Sequence, residues 1–169
     1  MEPTLDQLIA THFPEKEGEI RAYADFLKGA GIERGLIGPR EGDRIWERHI
    51  LNSLFVCQLL PEGASLFDIG SGAGLPGIVI ALARPDLSVT LIEPLERRVA
   101  FLNEAVAGLN IEVIRGRAQD VKKSADFVTA RIVFMVATFD VHPGVEIFLV
   151  TEGDLIAIVT LVQEHALRG

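Results

Sequence analysis

The chain has 169 residues, 49% of them hydrophobic, with a mean hydropathy of +0.31, which is one domain's worth of core-forming polypeptide and argues against disorder. Its formal net charge of −8 is unlike that of a generic nucleic-acid binder, and the single cysteine, Cys57, excludes an internal disulfide. No apolar run approaches the roughly 18 residues of a membrane helix, and the acidic N-terminus lacks a secretion-signal pattern, so the expected setting is cytoplasmic with no membrane partner.

The first 60 residues predict helices. "TLDQLIATHF" begins with a cap at Thr4, and "EIRAYADFLKGAG" carries apolar residues at helical spacing until its glycines stop it. "GLIGPREG" predicts a loop. "DRIWERHILNSLFVCQLL" predicts an amphipathic helix with Ile45, Trp46, His49, Ile50, Ser53 and Leu54 along one side, ended by Pro61 and Gly63. Short apolar strands then alternate with helices. Strands are expected at 65–69, 88–93, 111–116, 125–131 and 154–162, with helices in "PGIVIALARP" and "PLERRVAFLNEAVAGL" and a less regular helical stretch broken by "HPG" at 142–144. Alternation at this spacing means right-handed crossovers and a parallel sheet covered on both faces. The expected fold class is α/β: a doubly wound Rossmann-like sheet (63–169) with an N-terminal helical cap (1–62), the two forming one compact unit.

"FDIGSGAGLPGI" (67–78) stands where the first strand meets its helix. Gly72, Gly74 and Gly77 spell a dinucleotide fingerprint, but Asp68 and Gly70 shift the pattern to D-x-G-x-G-x-G. In such sheets ligands bind at the carboxyl ends of the strands. Glycine serves where the backbone needs φ > 0 or where a Cβ would meet a ligand. Strand two ends in Glu93, 21 residues after Gly72, the offset of a carboxylate that accepts both hydroxyls of a ribose. That carboxylate suits a dinucleotide and S-adenosyl-L-methionine alike. Asp68 separates them, because it would repel a pyrophosphate and attract a sulfonium or ammonium. Three readings stand: a methyl-donor loop, which Asp68 favours, a dinucleotide loop, and a bare structural turn.

"WERHILNSL", "DIGSGAGLPGI", "LIEPLERRVAFL" and "VIRGRAQD" resemble the RsmG family, also called glucose-inhibited division protein B, and "AYADFLKGAGIERGLIGPRE" is similar to its actinobacterial branch. The resemblance runs from about residue 15 to residue 131. It implies an S-adenosylmethionine-dependent methyltransferase acting on N7 of a guanine in 16S ribosomal RNA, as naked RNA or in the small ribosomal subunit. It places Gly70 and Leu75 along the donor loop, Ala118 and Gln119 beside the adenine, and Arg131 facing the donor and the target base. The family more often has Ala-Glu where this chain has Ala118-Gln119. After Arg131 the departures grow. Val159-Thr160 stand near the family's Lys-Gly, and no sequence remains for the usual last hairpin, so the last strands are expected to be missing.

N7 of guanine has an available lone pair, so no general base is needed, and no Ser–His–Asp or Cys–His constellation is visible. Arg131 is the expected orienting residue, with a structural ion pair as its plain alternative. His49 and Asn52 are expected as a buried packing pair. Arg40, Arg44 and Arg48 form either a phosphate-facing strip or a solvated face. Arg97, Arg98, Arg115, Arg117, Lys122 and Lys123 are the RNA contacts that charge suggests. Residues 1–131 hold 15 of the 16 Lys and Arg, so any basic face belongs to them. His142 and His165 have no partners at metal-ligand spacing, and no metal is expected. A donor-binding module without turnover and a dinucleotide-dependent oxidoreductase are the competing functions. The sequence carries no signal for an oligomeric state.

Overall fold

The computed structural model describes residues 2–132, 145–152 and 154–161, those from Arg131 onward by their backbone alone. Helix α1 (Leu5–His12) starts where its cap requires: Gln7 N–H donates to the Thr4 hydroxyl, and Thr4 N–H donates to the Gln7 side chain in a capping box. Helix α2 (Glu17–Phe26) runs into a widened turn at Leu27–Gly31.

The amphipathic stretch expected as one α-helix departs from that expectation. It is a 3-10 segment (Pro39–Arg44), a widened turn (Ile45–Leu51) and a second 3-10 segment (Leu54–Leu59). Five of the six residues expected on the inward face, Ile45, His49, Ile50, Ser53 and Leu54, are buried, and the sixth, Trp46, is half-buried against the core. Ser53 Oγ donates to the His49 carbonyl at 2.6 Å, a bond that competes with the regular helical ladder and helps break it.

Strands β1 (Ser65–Ile69), β2 (Ser88–Glu93), β3 (Glu112–Arg115) and β4 (Phe127–Ile132) pair in parallel in the order β3-β2-β1-β4. Helix α3 (Gly77–Ala83) crosses from β1 to β2, and α4 (Glu96–Ala105) from β2 to β3. β2 is buried from Val89 to Glu93, as a central parallel strand should be.

Beyond β4 the sheet is not parallel. β6 (Asp154–Leu161) lies antiparallel against β4, and β5 (Val145–Glu152) pairs antiparallel on its outer side. The sequence reading has the strand at 154 but no strand before it. Only one residue separates β5 from β6, too few for a crossover, so the two must form a hairpin. The 142–144 interruption lies outside the described residues.

Cap and sheet share one hydrophobic core. It runs from Ile9, Phe13, Ile20 and Leu27 through Leu66, Ile78 and Leu91 to Phe101 and Leu102. Phe26 stacks on Phe101 with ring centroids 4.7 Å apart, and Arg34 lies over both rings while bonding Glu104 through two nitrogens. These contacts fasten the cap to α4.

Candidate functional site

The register brings Gly70, Glu93, Arg115 and Arg131 to one edge of the sheet. Ile69 pairs with Ile92 and with Ala130, and Glu93 pairs with Arg115. This is the carboxyl edge of the parallel strands, where the loop after β1 sits.

That loop is built on left-handed backbone. Gly70, Gly72 and Gly74 have φ of +68°, +57° and +93°. Gly70 and Ser71 N–H both donate to the Ile92 carbonyl, at 2.8 and 3.3 Å, and Gly74 N–H donates to the Ser71 carbonyl at 2.7 Å. Glu93, 1% exposed, straps the loop to β2. Its Oε2 accepts Gly72 N–H at 2.9 Å and its Oε1 accepts Leu95 N–H at 3.0 Å. Arg98 Nη1 stands 3.8 Å from Oε2, supplying positive charge beside it.

Asp68 is fully buried beneath the loop, and its Oδ2 accepts Gly77 N–H at 3.1 Å. The approach is close. A Cβ on Gly77 would lie 2.6 Å from Asp68 Oδ2 and 2.4 Å from Leu91 Cδ2. Leu75 is buried in the shared core. Ala118 and Gln119 lie exposed in a 3-10 turn (Ala118–Asp120) that follows β3 at the same edge. The Arg131 side chain lies outside the described residues, as do His142 and His165.

Sequence reasoning missed one contributor. Tyr23 of the cap helix α2 donates its hydroxyl to the Ala73 carbonyl, in the middle of the loop, at 2.8 Å. The only signal was a lone tyrosine on the apolar side of α2. Nothing in its spacing names a partner 50 residues away.

Several of the basic residues form ion pairs within the chain. Arg48 and His49 both reach Glu41, at 2.9 and 3.1 Å, which makes this cluster part of the cap's packing. Arg115 pairs with Glu96 at 3.3 Å, and Lys123 pairs with Glu112, whose carboxyl is held below its ordinary range by that bond. Arg40, Arg44, Arg97, Arg117 and Lys122 are exposed. Among the described residues no group of three or more His, Cys, Asp or Glu side chains could hold a metal ion. None of the helices among those residues is long and apolar enough to cross a membrane.

A family model described as rRNA small subunit methyltransferase G (GidB) matches residues 16–157. The chain is 46% identical over 158 residues to the ribosomal RNA small subunit methyltransferase G of Kineococcus radiotolerans, covering 90% of this chain and 61% of that protein. It is 59% identical over 116 residues to that of Thermobifida fusca, covering 66% of this chain and 49% of that protein. The chain thus spans about half to three fifths of the length of these relatives. Among solved structures, MtNAS in complex with MTA and tNA superposes with a TM-score of 0.52 at 14% identity, covering 92% of this chain and 75% of that one. At that identity the likeness speaks for the fold alone.

Proposed function

The chain belongs to the GidB family, rRNA small subunit methyltransferase G, and on that premise we propose that it uses S-adenosyl-L-methionine to methylate N7 of a guanine in 16S ribosomal RNA, in the cytoplasm. One observation carries the donor assignment: a loop of three left-handed glycines strapped to Glu93 at the carboxyl edge of the sheet. The donor set fits. A Cβ built on the exposed Gly70 meets nothing within 4 Å, so open ground lies beside Gly70. Glu93 uses one acceptor direction of each oxygen on Gly72 and Leu95 N–H, which leaves acceptor capacity for ribose hydroxyls. Five N–H groups of the loop, those of Gly70, Ser71, Gly72, Gly74 and Gly77, already bond within the protein. A pyrophosphate finds few donors there, which favours the phosphate-free cofactor.

When bound, S-adenosylmethionine supplies a methyl group on a positive sulfur, open to a lone pair such as that of guanine N7 without prior removal of a proton. The chain's share is therefore positioning and electrostatics. In this reading Gly70, Gly72, Gly74 and Leu75 form the floor and Glu93 holds the ribose. Ala118 and Gln119 flank the adenine, and Arg131 orients the target base. Asp68 and Glu93 put negative charge under a cationic ligand. RNA would approach the same edge, past Arg97 and Arg117.

Calorimetric titration tests the donor: S-adenosylmethionine should bind and NADH should not, and the reverse sinks the reading. Incubation with labelled donor and small subunits lacking the modification tests the transfer. Label should enter guanine, and donor binding without incorporation would leave a binding module in place of an enzyme.

A further inference from the structure

Ala73 stands between Gly72 at φ +57° and Gly74 at φ +93°. A peptide unit flanked by glycine meets little steric resistance to rotation, so something else must fix the plane between Ala73 and Gly74. Two bonds do so. Gly74 N–H donates to the Ser71 carbonyl at 2.7 Å, and the Ala73 carbonyl accepts the Tyr23 hydroxyl at 2.8 Å. Rotating the plane breaks both. Tyr23 is 3% exposed, so its bond lies away from water, and losing it would strand a buried carbonyl. The fit has little slack. A Cβ on Gly74 would lie 3.1 Å from the Tyr23 hydroxyl and 2.4 Å from Ile78 Cδ1. Gly72, the residue before Ala73, is the one Glu93 holds.

We propose that Tyr23 is a positioning residue for the methyl donor: from the cap, its hydroxyl fixes the Ala73–Gly74 peptide in the orientation that gives the donor loop its binding shape. This rests on the donor assignment made above. The effect of Tyr23 on the ligand passes through Ala73 and needs no direct contact.

The test compares Tyr23→Phe with Arg34→Ala in the full chain. Arg34→Ala loosens the cap at α4 and leaves the loop alone. Calorimetry with S-adenosylmethionine should give a dissociation constant about 5- to 20-fold weaker for Tyr23→Phe and unchanged for Arg34→Ala, though both melt earlier than wild type. Amide exchange followed by NMR without donor should accelerate at Gly72 and Gly74 in Tyr23→Phe and stay unchanged along α2. An affinity within twofold of wild type in Tyr23→Phe overturns the proposal, as does an equal loss in Arg34→Ala. Unprotected exchange at Gly74 in the folded wild type overturns it without any variant. A wild type that binds no S-adenosylmethionine would refute the donor assignment and the positioning role together. A binding wild type with an indifferent Tyr23→Phe refutes the positioning role alone.

Discussion

Gly77 and Gly18 show how differently one residue type is constrained. Gly77 starts α3 against β1 and β2, and a methyl there would press on Leu91 and Asp68 at 2.4 and 2.6 Å. Gly77→Ala should therefore cost about 1–3 kcal/mol in urea unfolding, the range of core overpacking, and, on the proposed function, weaken S-adenosylmethionine binding by moving Asp68. Gly18 lies exposed in α2 with nothing within 4 Å of its Cβ position. Gly18→Ala should be neutral or stabilise by about 0.5 kcal/mol. Cys57 offers a second residue-scale check. Burial pushes its thiol up to about 11, with Arg84 only partly offsetting the effect. At about pH 7.5 almost no thiolate is present, so an aromatic disulfide reagent should label the folded chain slowly and the urea-unfolded chain at the rate of a free thiol. Among the candidate site residues, the glycine loop and its closeness to Asp68 and Glu93 are legible in sequence because their pattern is local to one strand–loop–helix unit and the strand after it. What Glu93 bonds, and that Tyr23 reaches Ala73, depends on long-range packing that local pattern does not carry.

At the scale of elements, the end of α3 is tied back to the segment before β1. Arg84 donates Nε and Nη2 to Asp86 at 2.8 and 2.7 Å and Nη1 to the carbonyls of Cys57 and Leu60, while Asp86 accepts Gly63 N–H at 3.1 Å. The Arg84 bond is the main reason the Asp86 carboxyl is held well below its ordinary 3.8. A carboxyl lowered in the folded state stabilises above its unfolded pKa and loses that stabilisation as pH falls through the folded one. The melting-temperature gap between wild type and Asp86→Asn should thus be flat from about pH 8 to 5 and shrink below about pH 4. Discounted for solvent screening, the gap is worth about 1 kcal/mol. The bounds of β1 and β2 match the sequence reading because each is a short apolar run set off by turn signals. The stretch from 43 to 60 does not hold a regular α-helix, because periodicity reports which side faces inward and not how tightly the backbone winds. β5 escapes the sequence reading although it runs Val-Glu-Ile-Phe-Leu-Val, a pattern rich in β-branched residues. The "HPG" before it points instead to a broken helix.

For the whole molecule, charge and the proposed function pull in opposite directions. On the proposed function, a chain of net charge −8 would meet RNA on a local basic face, and residues 132–169 hold only Arg168 against five acids. Binding to small-subunit RNA should accordingly fall steeply with salt, with a log–log slope set by the few phosphates contacted. Filter binding between about 50 and 200 mM salt should show Arg97→Ala and Arg117→Ala each lowering that slope by about 1. A slope unchanged in both would move the RNA to another face. The core that joins cap and sheet has a consequence for biosynthesis. Ile9, Phe13, Ile20 and Leu27 are fully buried in a cluster completed by Ile78, Leu91 and Phe101. Vectorial synthesis delivers the first group well before the second exists. A nascent chain arrested after the cap should recruit holdase chaperones and be cut readily by protease, and both sensitivities should vanish once β2 and α4 have emerged.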